Sequence, residues 1–263
     1  MSFQTTLFLT SDSASGSSSN FTVYYSPPIE LDTTKTYELA LISANLWRSW
    51  HNVTPKNNKF RYSPTPSGDV SVSEDSPSGD GSVWVDLAIP PGAYNVTDIN
   101  AEIKRLIKGR GHDPDSISLT PNYSTQRSRI SLANNYKVDF RDEKSSNNLR
   151  SLLGFKPKLL SGNGDHDGDT LVDITSINSV VIRCSLINSS YINGSQTDII
   201  HSFSPDQPPG YLLDIQPRNL IYLPINKQSQ ISQLTIRITD QAGREIDLHG
   251  ERTTFYISLR EQT

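Results

Sequence analysis

Cysteine is nearly absent from this 263-residue chain: Cys184 stands alone, so no intrachain disulfide can form and no cysteine-based zinc site can be built. Cys184 lies in the apolar run Val180-Val181-Ile182-Arg183-Cys184-Ser185-Leu186, which predicts a small buried hydrophobe. Long apolar runs are missing too. Nowhere do roughly 18 apolar residues follow one another, and no basic segment followed by an apolar one opens the chain, so neither a membrane span nor a signal peptide is expected. Positive charge is not in excess. A formal charge of -4 gives no field that would gather nucleic acid, and the one basic cluster, Lys104, Arg105, Lys108 and Arg110, reads as the wet face of a short helix.

Catalytic signatures are lacking as well. His51, His112, His166, His201 and His249 are scattered with no metal-ligand spacing, and there is no nucleophile elbow, phosphate-binding loop or dinucleotide fingerprint. No cofactor is expected. A glycan-cleaving enzyme would need only two carboxylates, about 5–9.5 Å apart across a cleft, and their spacing is set by the fold rather than by a motif.

What the sequence does have is alternation. The hydrophobic share of 34% is low, Ser, Thr, Asn and Pro are abundant, and period-2 runs stop at turn residues from end to end, which predicts an all-β chain of short strands. Leu234, Ile236 and Ile238 alternate with Thr235, Arg237 and Thr239. After the turn chemistry of Asp240-Gln241-Ala242-Gly243, Phe255, Ile257 and Leu259 alternate with polar or amphipathic partners. Further strands are expected at 3–9, 21–25, 37–46, 83–89, 117–119, 129–132, 136–140, 180–187, 199–203, 211–215 and 220–225, enough for two packed sheets.

Two stretches break the pattern. Asn95-Val96-Thr97-Asp98 supplies capping side chains, Ile99, Ile103, Leu106 and Ile107 share a helical face, and Gly109 follows, which predicts a helix over about 98–108. A second, two-turn helix is expected over 147–155. Both are expected to cover an open end of the sandwich. Ser11–Ser19 reads as a flexible Ser-rich segment (about 10–20) and Ser63–Gly81 as a long surface loop. No boundary or repeat divides the chain, so one domain spanning 1–263 is expected.

Two groups of residues are candidate sites. Asn163, Asp165, Asp167 and Asp169 place oxygens at alternate positions beside Gly164 and Gly168, like the first half of a calcium loop, although Ile174 stands where the bidentate acid belongs. The bland alternative is a flexible acidic loop. Trp47, Trp50 and Trp84 are either tryptophans packed at a sheet corner or subunit interface, with Trp47 and Trp50 the interface candidates, or a platform for sugar.

The order of the pieces along the chain carries a resemblance. Phe21-Thr22-Val23, Pro28-Ile29-Glu30-Leu31 and Tyr37-Glu38-Leu39-Ala40-Leu41 lead to Ile89-Pro90-Pro91-Gly92-Ala93-Tyr94 and the helix. There follow Tyr136-Lys137-Val138-Asp139-Phe140, Leu152-Leu153-Gly154-Phe155, Cys184-Ser185-Leu186-Ile187, Tyr191-Ile192-Asn193-Gly194, Pro217-Arg218-Asn219-Leu220 and Ile238-Thr239-Asp240-Gln241-Ala242-Gly243-Arg244. This series resembles the penton, or minor capsid, proteins of Polinton/Maverick elements, adintoviruses and virophages. The resemblance implies a jelly-roll β-sandwich, five copies ringed at each vertex of an icosahedral virion, and a separate double-jelly-roll major capsid protein as partner. A host receptor or glycan is a further partner to be considered. The competing expectation from the residues alone is a carbohydrate-binding β-sandwich module.

Overall fold

The computed structural model describes residues 3–64, 83–141, 148–174 and 177–262. The greater part of the expected loop 63–81 therefore lies outside the described residues, as does the start of the expected second helix. The chain gathers into two compact units: residues 1–50 with 177–263, and residues 51–176. The single domain expected over 1–263 is thus met by two units, each closing around its own hydrophobic core. Alternation of the same character on both sides of each junction hid the division, because strands of both units bury one face and wet the other.

In chain order, the first unit begins with β1 (Gln4–Thr10), β2 (Ser15–Ser17), β3 (Asn20–Glu30) and β4 (Tyr37–Trp47). The 51–176 unit follows with β5 (Lys59–Ser63), β6 (Val85–Ala88), α1 (Val96–Gly109), β7 (Ile117–Asn122), β8 (Arg127–Leu132), β9 (Lys137–Asp139), β10 (Leu159–Leu160) and β11 (Gly164–Asp167). The first unit resumes with β12 (Val180–Cys184), the hairpin β13 (Ser190–Ile192) and β14 (Ser195–Thr197), then β15 (Ile199–Phe203), β16 (Leu212–Ile215), β17 (Leu223–Pro224), β18 (Gln230–Asp240) and β19 (Thr254–Glu261).

Strand order defines the architecture of the first unit. One sheet runs β1-β19-β4-β16, with β17 also on β4; the other runs β15-β12-β18-β3-β2, and all pairings are antiparallel. The chain passes from one sheet to the other between β1 and β3, β3 and β4, β4 and β12, β15 and β16, β17 and β18, and β18 and β19. That winding is two Greek keys wrapped into a jelly roll, with the 51–176 unit inserted in the connection from β4 to β12. Inward positions of both sheets fill the core: Leu39, Leu41, Ala44 and Leu46 of β4, Leu234, Ile236 and Ile238 of β18, and Phe255, Ile257 and Leu259 of β19. Cys184 is fully buried among them, and burial pushes its thiol up to about 12, so it stays protonated and inert.

The Ser-rich segment expected to be flexible carries a short strand. β2 pairs with β3 from Ser15↔Thr22 to Ser17↔Asn20, and Gly16, at φ +128, turns its missing Cβ toward the backbone of Asn20 and Phe21. Composition missed this strand because it is held by main-chain ladder bonds rather than by buried side chains.

In the 51–176 unit, a sheet β10-β9-β5-β6 and a sheet β11-β8-β7 share a core with α1. Asn95 caps the helix in a reciprocal box: its Oδ1 accepts from the Asp98 amide at 2.8 Å, while Asp98 Oδ2 accepts from the Asn95 amide at 3.2 Å. Val96, Ile99, Ile103 and Ile107 form the buried stripe. The helix belongs to this unit's own core, where the sequence reading had it covering the open end of a single sandwich. The second expected helix is a turn. Leu149, Leu152 and Leu153 are buried as their spacing demanded, but Gly154 at φ +75 reverses the chain at once.

Candidate assembly surfaces

Trp50 and Trp47 part company in the structure. β4 ends at Trp47, so the three-residue spacing crosses from strand to loop and places the rings in different surroundings. Trp50 is only 7% exposed, packed into the jelly-roll core with the Arg48 guanidinium 5.8 Å from its ring centroid. The expectation that it anchors a neighbouring subunit is corrected: its surface is already used within its own unit. Trp47 is 39% exposed and lies directly across from Leu212 of β16, next to exposed Tyr211. Because Leu46 and Leu213 point into the core, Trp47 and Leu212 stand on the outer face of that sheet.

The same face carries a second aromatic group that sequence reasoning passed over. Phe8 and Tyr256 are a cross-strand pair with ring centroids 4.8 Å apart, both substantially exposed. Between the two groups runs a polar row, Thr254 opposite Asn45 and Asn45 opposite Asp214. The signal was available in Tyr256, a large aromatic at a wet position between Phe255 and Ile257. Phe8 was masked because Leu7-Phe8-Leu9 reads as one continuous apolar run.

Further aromatics project at the hairpin β13–β14, where Tyr191 and Ile192 are exposed and Asn193-Gly194 turn the chain with φ 49 and 84, the two left-handed residues of a tight hairpin turn. On the other sheet the outer face carries polar pairs beside the exposed ring of Tyr24. Asp198 accepts from Arg183 at 2.7 Å and from Arg237 at 2.8 Å, and Thr22 and Thr235 share a 2.8 Å hydroxyl bond. Trp84, the third tryptophan, is half-buried beneath the guanidinium of Arg61, 5.6 Å from the ring centroid. No two tryptophans make a flat exposed platform for sugar.

The acidic candidates are also resolved by register. Asp165 and Asp167 lie on β11, so the alternation that resembles a calcium loop is the period of a strand. Arg129 of β8 donates Nε and a second nitrogen to the Asp167 carboxylate at 2.7 and 3.0 Å and a third to Asp165 at 3.2 Å, while Ser131 Oγ takes the other Asp165 oxygen at 2.6 Å. Arg129 thereby holds the Asp167 carboxyl below the ordinary range. Asp169 faces Lys158 at 3.0 Å and the Lys156 amide at 2.9 Å, and Asn163 Oδ1 accepts from the Asn135 amide. The four candidates do not converge on one point, and their oxygens answer protein donors.

The histidines are likewise dispersed. His112 Nδ1 meets the Tyr62 hydroxyl at 2.7 Å, His166 reaches the Gly162 carbonyl, and burial lowers the pKa of His201. No helix among the described residues is long and apolar enough to cross a membrane.

The strand order and the exposed aromatic face together define an all-β, jelly-roll protein with an inserted β-rich unit. No family model and no curated protein matches the chain. Among solved structures it is similar to the mavirus penton protein, in a crystal structure of the selenomethionine-labelled form, at 13% identity over 99% of this chain and 100% of that one, with a TM-score of 0.49. It is also similar to a chain of the Sputnik virophage seen by electron cryomicroscopy, at 10% identity over 97% of each chain, with a TM-score of 0.42.

Proposed function

We propose that the chain is a structural shell protein, the vertex (penton) subunit of an icosahedral capsid, forming a homopentamer beside a double-jelly-roll major capsid protein. The observation that carries this reading is the strand order of residues 1–50 and 177–263, a jelly roll, an architecture that serves viral capsid and lectin domains alike. The linear series of motifs given above favours the capsid over the lectin. So does the fate of the tryptophans, which form no sugar platform but leave Trp47 and Leu212 as an apolar step on a sheet face.

Such a subunit works by shape. A rigid sandwich meets identical neighbours through one patch complementary to a different patch, and a heterologous contact with a rotation that closes makes a ring. Aromatic anchors ringed by polar residues suit the centre of that contact. The role needs no reaction and no cofactor, and its place is the virion shell.

The test is the solution mass of the full chain by light scattering, with negative-stain images of the peak. A species of five times the 29.2 kDa chain with fivefold outline supports the reading, and a monomer that persists at high concentration, alone and with the capsid protein of the same source, refutes it.

A further inference from the structure

The 51–176 unit carries a cleft that the shell role does not use, of about 540 Å³, formed where the β7–β8 hairpin meets the start of α1. Three features of its lining belong together. Tyr123, at the hairpin tip, is 84% exposed, so its ring is open to a ligand at the mouth of the cleft. Pro121 and Val172 give an apolar floor, while Asn122 and Gln126 offer planar amides beside it. Arg127 is the single formal charge among the described lining residues, and the nearest carboxylate to feel it, Asp167, lies outside the lining and is itself held by Arg129.

The walls are preformed. The Gln126 carbonyl accepts from the Val172 amide at 3.1 Å, Arg127 donates one terminal nitrogen to the Gly168 carbonyl at 3.3 Å, and Asn122 Oδ1 accepts from the Thr125 amide at 3.4 Å. The first two bonds fix the hairpin against 168–172 and the third closes its turn before any ligand arrives, which lowers the entropic cost of binding. They also leave the remaining guanidinium donors of Arg127 and the whole amide of Gln126 without a side-chain partner among the described residues.

An exposed aromatic ring, flanking amides and a guanidinium with unused N–H donors are complementary to one class of molecule: a ring with an apolar face, several hydroxyls and one carboxylate. We infer that this cleft binds a saccharide bearing a carboxylate, the sugar stacking on Tyr123, its hydroxyls meeting Asn122 and Gln126, and its carboxylate pairing with Arg127. The inference stands apart from the shell role, because every residue it uses lies within 51–176.

The full chain is tested by saturation-transfer NMR with 3′-sialyllactose and a glucuronate-containing disaccharide, with lactose as the uncharged control. Binding of an acidic probe but not of lactose is expected. Arg127→Gln is expected to weaken it at least about tenfold, and Tyr123→Ala to abolish the ring-proton transfer, with both variants melting as the parent does. Should Arg127→Gln lose thermal stability through its Gly168 bond, Tyr123→Ala alone carries the test. Equal binding of lactose, binding that survives Tyr123→Ala, or no transfer to any of the three probes overturns the assignment and leaves the assembly reading untouched.

Discussion

Asn52 donates its side-chain amide to the Ile174 carbonyl at 3.1 Å, tying a residue near the start of the 51–176 unit to one near its end. The same amide nitrogen serves the Tyr94 carbonyl at 2.6 Å, and Asn52 Oδ1 accepts from the Tyr94 amide at 2.9 Å. One asparagine thus satisfies two carbonyls and an amide on two other segments. Asn52→Ala is expected to lower the stability of this unit by about 1–3 kcal/mol, with faster hydrogen exchange at Tyr94. Asn52→Asp keeps the acceptor but opposes two carbonyls with a carboxylate, so it should not restore the loss at neutral pH. Two variants that melt and exchange like the parent would remove this residue from any clamping role.

The two tryptophans separate folding from association. Trp50→Ala opens a cavity in the jelly-roll core and is expected to cost about 3–5 kcal/mol. Trp47→Ala leaves the core intact and should stay within about 1 kcal/mol of the parent in unfolding, while weakening ring formation. Denaturant melts paired with light scattering check both. A Trp47→Ala chain that assembles as the parent does would shift the interface to Phe8 and Tyr256, whose double change to serine is the next variant to measure.

Much of the first unit could be read from residues because its strands obey one rule. Leu234, Ile236 and Ile238 alternate inward as expected and the strand 199–203 falls on its expected bounds; in the 51–176 unit the helix needed only its cap and stripe to be placed. What escaped was whatever alternation cannot encode. β2 has no side chain in the core, β11 alternates acids rather than hydrophobes, and the partition into two cores depends on which strands pair across long separations. The site residues divide the same way. Trp47 and Trp50 were named together as interface candidates, but telling the exposed one from the buried one needed the strand end at residue 47, and Tyr123 on a polar hairpin tip has no periodic signal at all.

Asp198 gives the jelly roll an acid-sensitive joint. Burial alone would raise its carboxyl, but the bonds from Arg237 and Arg183 outweigh that and hold it below its usual value. An unfolded aspartate titrates near ~3.9, so the stabilisation is complete above that pH and is lost as pH falls through the lower folded value. Asp198→Asn is therefore expected to be less stable than the parent by about 1–3 kcal/mol at pH 7, with the gap closing below about pH 4. Melting both proteins from pH 7 to pH 3 reads this directly, and a gap that stays constant or widens in acid contradicts it.

Arg129 decides what the acidic strand does with calcium. Its guanidinium occupies oxygens of both Asp165 and Asp167, and Ser131 and Lys158 engage others of the candidate set, so a cation could enter only by displacing a charge already paired. Millimolar calcium is therefore expected to leave the melting temperature of the parent unchanged, and a chelator to have no effect, since a ligand bound to the folded state alone would raise it. Arg129→Ala leaves two carboxylates facing each other across one turn of strand alternation, and there added calcium should restore some stability. A calcium-dependent rise in the parent would show instead that Arg129 yields its place, and the loop would then have to be counted as a metal site.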